Sequence, residues 1–204
     1  MLPLFPASDE KLSTKRTHLL LRKALFQLLT TTPFEKITLT ELCSTAMIPR
    51  STFYRYFEDK YDLQRYCLQC MLQEANFNED VLYLRSPESV RYFLLALIQM
   101  LQQDLEDYQK IYNSNKDGVL MKMIKDYLIL IITGILKEYE KKGCRYKIDI
   151  PIFAALLTNF FFTTLQCYLE TSGQYDVQTF VDNVCLFTEK DFFAARPAPA
   201  ADSC

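Results

Sequence analysis

An all-α fold in two parts, a small N-terminal helix-turn-helix head and a larger helical body, is what this 204-residue chain predicts. Three observations carry that expectation. No segment sustains the apolar/polar alternation of a half-buried strand, while apolar residues recur at helical spacing along most of the length. Gly is scarce, and start and stop signals divide the chain into helix-length pieces. Residues 38–57 read as two short helices joined by a tight turn.

The first helix is expected from Ser13 to Thr31. Leu21, Leu25, Leu28 and Leu29 line one face, Ser13 or Thr14 caps the start, and Thr30-Thr31-Thr32-Pro33 ends it. Phe34 and Ile37 then fold back towards the core. Thr38 caps the second helix with Glu41 three residues on, the capping-box spacing. Leu39, Leu42, Cys43 and Ala46 share one face of it, and Met47-Ile48 supplies the turn. Pro49 suits the first position of the third helix, where its missing N–H costs nothing. Phe53 and Phe57, four apart, point inward, while Arg50, Ser51 and Tyr54 project outward. An aromatic inner face and a polar outer face, on a helix held at an angle by a partner, is the geometry of a major-groove reader. A fourth helix is expected from near Asp59 to about Asn78.

In the body, Ser86-Pro87-Glu88 opens a helix expected to reach Asp107, and the polar residues 113–118 break the chain. Val119–Lys142 is strongly apolar and ends on Lys141-Lys142-Gly143, cations against the dipole with Gly just after. Asp149-Ile150-Pro151 starts the next helix, which stops at Ser172-Gly173; Asp176 caps the last, which reaches about Phe192. The expected division is a head at 13–68, a body at 69–193, and flexible ends at 1–12 and 194–204, the latter Ala/Pro-rich.

Composition narrows the function classes. The pI near 5.5 argues against a general polyelectrolyte binder. Residues 1–66 carry ten Lys/Arg against seven acids, whereas the whole chain is −2, so the basic end is the one suited to DNA. Seven scattered cysteines argue for reduced thiols and a cytoplasmic protein. Cys67 and Cys70 form a CxxC with no second pair, and His18 is the only histidine, so no metal site, cofactor or catalytic residue is expected. The lack of a Gly-rich phosphate loop also weighs against an enzyme. The apolar runs Tyr127–Leu136 and Ile152–Phe162 fall short of the roughly 20 residues a bilayer requires, so buried helices and no membrane partner are expected.

The segment from about Thr14 to Leu68, about a quarter of the chain, resembles the DNA-binding domain of the TetR/AcrR family of bacterial transcriptional regulators. The resemblance rests on Ile37-Thr38-Leu39 and on Ser51-Thr52-Phe53-Tyr54-Arg55-Tyr56-Phe57, followed by Lys60 and Leu63. One departure stands out: the family usually has Gly in the turn, where this chain has Met47. From the residues themselves, Arg50 is the base reader, since a guanidinium can bond guanine O6 and N7 together. Ser51 and Thr40 can reach base edges or phosphate, and Thr38, at the same helix start, is a further candidate DNA contact. The resemblance implies that Thr52, Tyr54 and Lys60, with Tyr56, bond phosphates of a double-stranded operator, fixing register without reading sequence.

The body is rich in aromatic residues, which suits a core, a dimer interface or an apolar effector pocket. Tyr92, Tyr127, Thr158, Phe161 and Thr163 are the candidate effector contacts. Phe160-Phe161-Phe162 cover most of a helix circumference, so two surfaces must be buried, and a second subunit is the natural other one. The resemblance implies a homodimer through the last two long helices, with Phe160, Val177, Phe180, Val181, Val184 and Phe187 as the candidate interface. The expected function is a DNA-binding repressor released by a small apolar ligand. The alternative is a co-regulator or activator controlled by a protein partner.

Overall fold

A computed structural model describes residues 12–74, 87–143, 145–171 and 174–188. The expected flexible ends therefore lie almost wholly outside the described residues. Among those described there are nine α-helices and no β-strand: α1 Leu12–Leu29, α2 Leu39–Thr45, α3 Arg50–Phe53, α4 Lys60–Glu74, α5 Pro87–Gln102, α6 Leu105–Asn115, α7 Val119–Lys141, α8 Ile150–Thr171 and α9 Val177–Thr188. A 3₁₀ turn, Phe34–Lys36, links α1 to α2.

Two helices, α5 and α6, stand where the sequence suggested one reaching Asp107. The chain breaks at Asp104, whose φ of −133° and ψ of 42° are not helical. Glu106 and Asp107 then occupy the first turn of α6, where carboxylates complement the helix dipole. Helix α9 starts as its capping residue suggests: Asp176 accepts hydrogen bonds from the Thr179 amide at 3.0 Å and the Thr179 hydroxyl at 2.6 Å.

Two apolar cores result. The head core joins Leu21, Leu25, Phe34, Leu42, Phe53 and Leu63, and it takes in Ile111 of α6 and Leu120 of α7 from the body. The body core is built by α5, α7 and α8 around Leu94, Ile98, Ile132, Leu136 and Ala154, with α9 packed on α5. Helix α4 passes unbroken from one to the other, with Leu63 in the head core and Leu68 in the body core.

Helix α8 has the bounds the sequence suggests, Ile150–Thr171, but corrects the reading of its apolar run. Its apolar run does not stop at Phe162 but continues through uncharged residues to Leu169, so this 22-residue helix is long and apolar enough to cross a membrane. In this fold it packs on α7, burying Ala154, Leu157, Phe161 and Tyr168 in the body. Ile152 and Leu156 remain exposed on its other side.

Candidate nucleic-acid interface and body cavity

The interface begins with how α2 and α3 are held. The capping box predicted at Thr38 is present. The Glu41 carboxylate accepts from the Thr38 backbone N–H at 2.9 Å and from its hydroxyl at 2.7 Å, and the hydroxyl accepts from the Glu41 amide. The Thr38 backbone and hydroxyl bonds hold the Glu41 carboxyl below its usual range. The Thr38 proton is thus spent inside α2, which leaves it a structural post rather than a free donor to DNA.

The exit of α2 is a Schellman motif. Ile48 N donates to Cys43 O and Met47 N to Ser44 O, both at 3.0 Å. The motif places Met47 at a φ of 55°, the left-handed region where glycine is the easy choice. The side chain there is 89 % exposed, so no packing compensates the backbone strain. Pro49 sits one residue earlier than expected, at the N-cap of α3, and its carbonyl accepts from Thr52 N and Phe53 N.

Helix α3 has only four residues, yet its orientation is firmly set. Phe53 is completely buried and Phe57 nearly so, with ring centroids 5.7 Å apart. The opposite side exposes Arg50, Ser51, Tyr54 and Arg55, with Thr40 exposed on α2. Thr52 is half-buried. Tyr56 is half-buried too, its ring 5.0 Å from His18 in a T-shaped contact. His18 is itself buried among Tyr56, Phe57 and Tyr66, so the one histidine braces α1 against the segment after α3.

Lys60 requires a correction. It was expected to bond phosphate, but its ammonium donates to three backbone carbonyls: Phe34 O at 2.8 Å, Glu35 O at 3.0 Å and Ile37 O at 2.7 Å. An ammonium has three protons, and all three are taken. The charge also lies 4.9 Å from the Phe34 ring centroid. Burial lowers its pKa and the nearby Glu35 raises it, with burial the larger influence.

The 3₁₀ turn so gripped is also tied to the body. Phe34 N donates to the buried Asn115 Oδ1 at 2.8 Å, and Asn115 Nδ2 donates to Ile111 O at 2.8 Å. The Glu35 carboxylate accepts from Val119 N and so caps α7. Gly118 makes room for it: a Cβ there would lie 2.6 Å from Glu35 Oε1. These contacts had no signal in the sequence, because their partners are main-chain atoms far away along the chain.

Between head and body lies a cavity of about 470 Å³. Leu25 and Phe26 of α1, Leu97 and Leu101 of α5, and Met121 and Ile124 of α7 are among its walls. Of the five expected effector contacts, Thr158 and Phe161 line it. Tyr92 does not: it is 72 % exposed on the outside of α5. Tyr127 is buried elsewhere, its hydroxyl bonded to Gln69 Nε2, and Thr163 faces outward from α8. Helical spacing gave the helices but not which side of each faces the hollow. Cys67 also lines the cavity, and burial pushes its thiol up to about 12, so it is a protonated wall group and not a nucleophile.

The expected dimer residues fall largely inside the subunit. Val181 is fully buried and Phe180 nearly so, the latter 5.2 Å from the Tyr168 ring. Phe160, Val177 and Val184 are half-buried against the body core, and the Phe187 side chain lies outside what is described. The stripe on α9 covers α5 of its own chain. The apolar side chains that do face outward nearby are Ile152 and Leu156 of α8 and Leu186 of α9.

No family model and no curated protein matches the sequence. Solved structures do match it. A Syntrophomonas wolfei protein assigned to the TetR family of transcriptional regulators aligns over 86 % of this chain and 94 % of its own, at 15 % identity and a TM-score of 0.58. FadR from Bacillus subtilis, in complex with stearoyl-CoA, aligns over 82 % of this chain and 95 % of its own, at 16 % identity and a TM-score of 0.54. Thermus thermophilus FadR, a TetR-family repressor in complex with lauroyl-CoA, aligns over 89 % of this chain and 98 % of its own, at 19 % identity and a TM-score of 0.50. At such identities the likeness concerns the fold: the chain has the fold of TetR-family regulators.

Proposed function

We propose that this chain, built on the TetR-family fold, is a sequence-specific DNA-binding transcriptional regulator that acts as a homodimer, a repressor released by a small apolar ligand. The observation that carries the DNA-binding reading is the outer face of α3. Arg50 and Ser51 on α3 and Tyr54 at its C-cap are exposed, while Phe53 and, in the segment just after the helix, Phe57 lock the inner side. Arg50 reads a base edge; Ser51, Thr40, Thr52 and Tyr54 hold base edges or phosphate. The cavity supports the ligand. Its volume falls within the roughly 300–1,000 Å³ range of small-molecule sites, and two fold neighbours are complexes with acyl-CoA.

The walls supply the coupling. Leu25 and Leu120 belong at once to the cavity and to the head core, so a molecule that reshapes the hollow acts on the packing beneath the reading head. It shifts the DNA-binding balance only by its differential affinity for the two shapes, typically about 1–3 kcal/mol. The homodimer forms through the outward side of α8 and α9, around Ile152, Leu156 and Leu186.

The test is selection of a preferred duplex from a random pool, then titration of wild type and Arg50→Ala on that duplex and its single-base variants. Arg50→Ala is expected to lose roughly 1–3 kcal/mol on the preferred duplex and to relax one base position. Equal affinities across the variants for both proteins would remove the reading role.

A further inference from the structure

We infer that the body cavity takes a neutral, largely apolar molecule carrying hydroxyl or amide N–H groups, recognised by Thr158 and Gln64. The inference rests on the reading above that this cavity holds the effector, and it names that effector's chemistry.

Two buried polar side chains in the cavity wall each hold an oxygen without a hydrogen-bond partner. Thr158 of α8 is 1 % exposed and Gln64 of α4 is 5 % exposed, and both line the hollow. Thr158 Oγ1 and Gln64 Oε1 have no hydrogen-bond partner. The case of Thr158 is telling because a helical Thr has an easy local partner, the carbonyl one turn back. On the same helix Thr164 uses it, donating to Phe160 O at 2.9 Å, and Thr171 uses it, donating to Cys167 O at 2.6 Å. Thr158 does not. A buried polar atom left unpaired is costly, and native structures seldom keep one without a use.

The required ligand group follows from the donor and acceptor inventory. Gln64 Oε1 only accepts, so the ligand must present a donor there; Thr158 both donates and accepts. A hydroxyl or an amide N–H meets both needs, whereas an ester or a bare hydrocarbon does not satisfy Gln64.

Charge argues for neutrality. The charged residues of the wall are Arg22, Lys23, Glu74 and Asp104, two cations against two acids. Arg22 is already paired with Glu74 at 2.7 Å, and Lys23 is exposed to water, which screens it. An anionic ligand that buried its charge would find no unpaired buried cation to offset its desolvation.

The experiment uses the full chain and four probes: dodecanediol with a hydroxyl at each end, methyl dodecanoate, dodecanoic acid and stearoyl-CoA. Affinities come from thermal shift and direct titration. The diol is expected to bind best, about tenfold tighter for each hydrogen bond it satisfies. Thr158→Val and Gln64→Leu should each remove about tenfold from the diol, and Gln64→Leu should leave the methyl ester, which has no donor for that oxygen, unchanged. The near-isosteric Thr158→Val should also raise the melting temperature without ligand, because it deletes an unpaired buried group. Tighter binding of the acid or the acyl-CoA than of the diol would overturn the inference. So would a full diol preference in Thr158→Val, or no binding by any probe. Operator titrations beside these separate the two readings. A diol that binds but leaves operator affinity unchanged sinks the effector role and keeps the ligand class; a chain that holds its operator yet binds no probe does the reverse.

Discussion

Replacing Lys60 with Met tests whether this residue builds the head or touches DNA. Met keeps much of the stem and removes the ammonium. Three carbonyl acceptors then lose a donor held at 2.7–3.0 Å, and a cation leaves the face of Phe34. A hydrogen bond to a charged group contributes about 1.5–3 kcal/mol, but three bonds from one partly buried ammonium are not independent. A loss of about 3 kcal/mol is a fair working value, since water can reach some of the freed carbonyls. For a chain of this size each kcal/mol moves the melting temperature by roughly 2–4 °C, so a fall of about 6–12 °C is expected. Lys60→Arg, whose planar fork cannot point three donors at one cluster, should fall between the two. The companion assay is the salt dependence of operator binding at a temperature where both proteins are folded. A structural Lys60 leaves the slope unchanged; a phosphate-bonding Lys60 lowers it by about one on substitution. Wild-type melting combined with a lowered slope would refute the structural assignment.

Met47→Gly should stabilise the chain. A non-Gly residue in the left-handed region costs about 1–2 kcal/mol, and the extra unfolded-state freedom of Gly offsets about 0.5–1 of it; a net gain of about 0.5–1 kcal/mol should appear as a higher urea midpoint, and a lower midpoint would contradict it. Asn115→Ala leaves the buried Phe34 N–H without an acceptor and should cost about 1–3 kcal/mol in the same urea series. Leu156→Glu places a charge on the outward side of α8 and should give monomers by sedimentation with the fold intact by circular dichroism. An unchanged dimer would move the interface elsewhere.

The parts of the molecule written in local sequence were readable, and those written in distant backbone were not. The Thr38–Glu41 box, the Asp176 cap and the Phe53/Phe57 spacing each involve residues three or four apart, so periodicity exposes them. The turn at Met47 was located correctly, and its strain followed from a side chain occupying a glycine conformation. The Lys60 bonds and the Asn115–Phe34 bond escaped because their partners are main-chain groups 23 to 81 residues away, which carry no side-chain signature. The stripe on α9 shows a different limit. An apolar face looks the same whether it meets its own chain or another's, so Phe180 and Val181 were assigned to a partner when they cover α5. The break at Asp104 was lost for a third reason: nothing at residues 103–104 is a Gly or a Pro.

The shared cores limit how far the reading head can travel between proteins. A graft cut at residue 68 would leave behind Ile111 and Leu120, which complete its apolar centre, and Asn115, which holds the Phe34 amide. It would also sever α4 at the point where that helix changes cores. A chimera that keeps the geometry of α3 on a foreign body must therefore carry the α6–α7 junction with it, Gly118 included, or restore those three contacts from the recipient side. The packing that holds α3 is thus encoded in two pieces of sequence, separated by most of the body's first half.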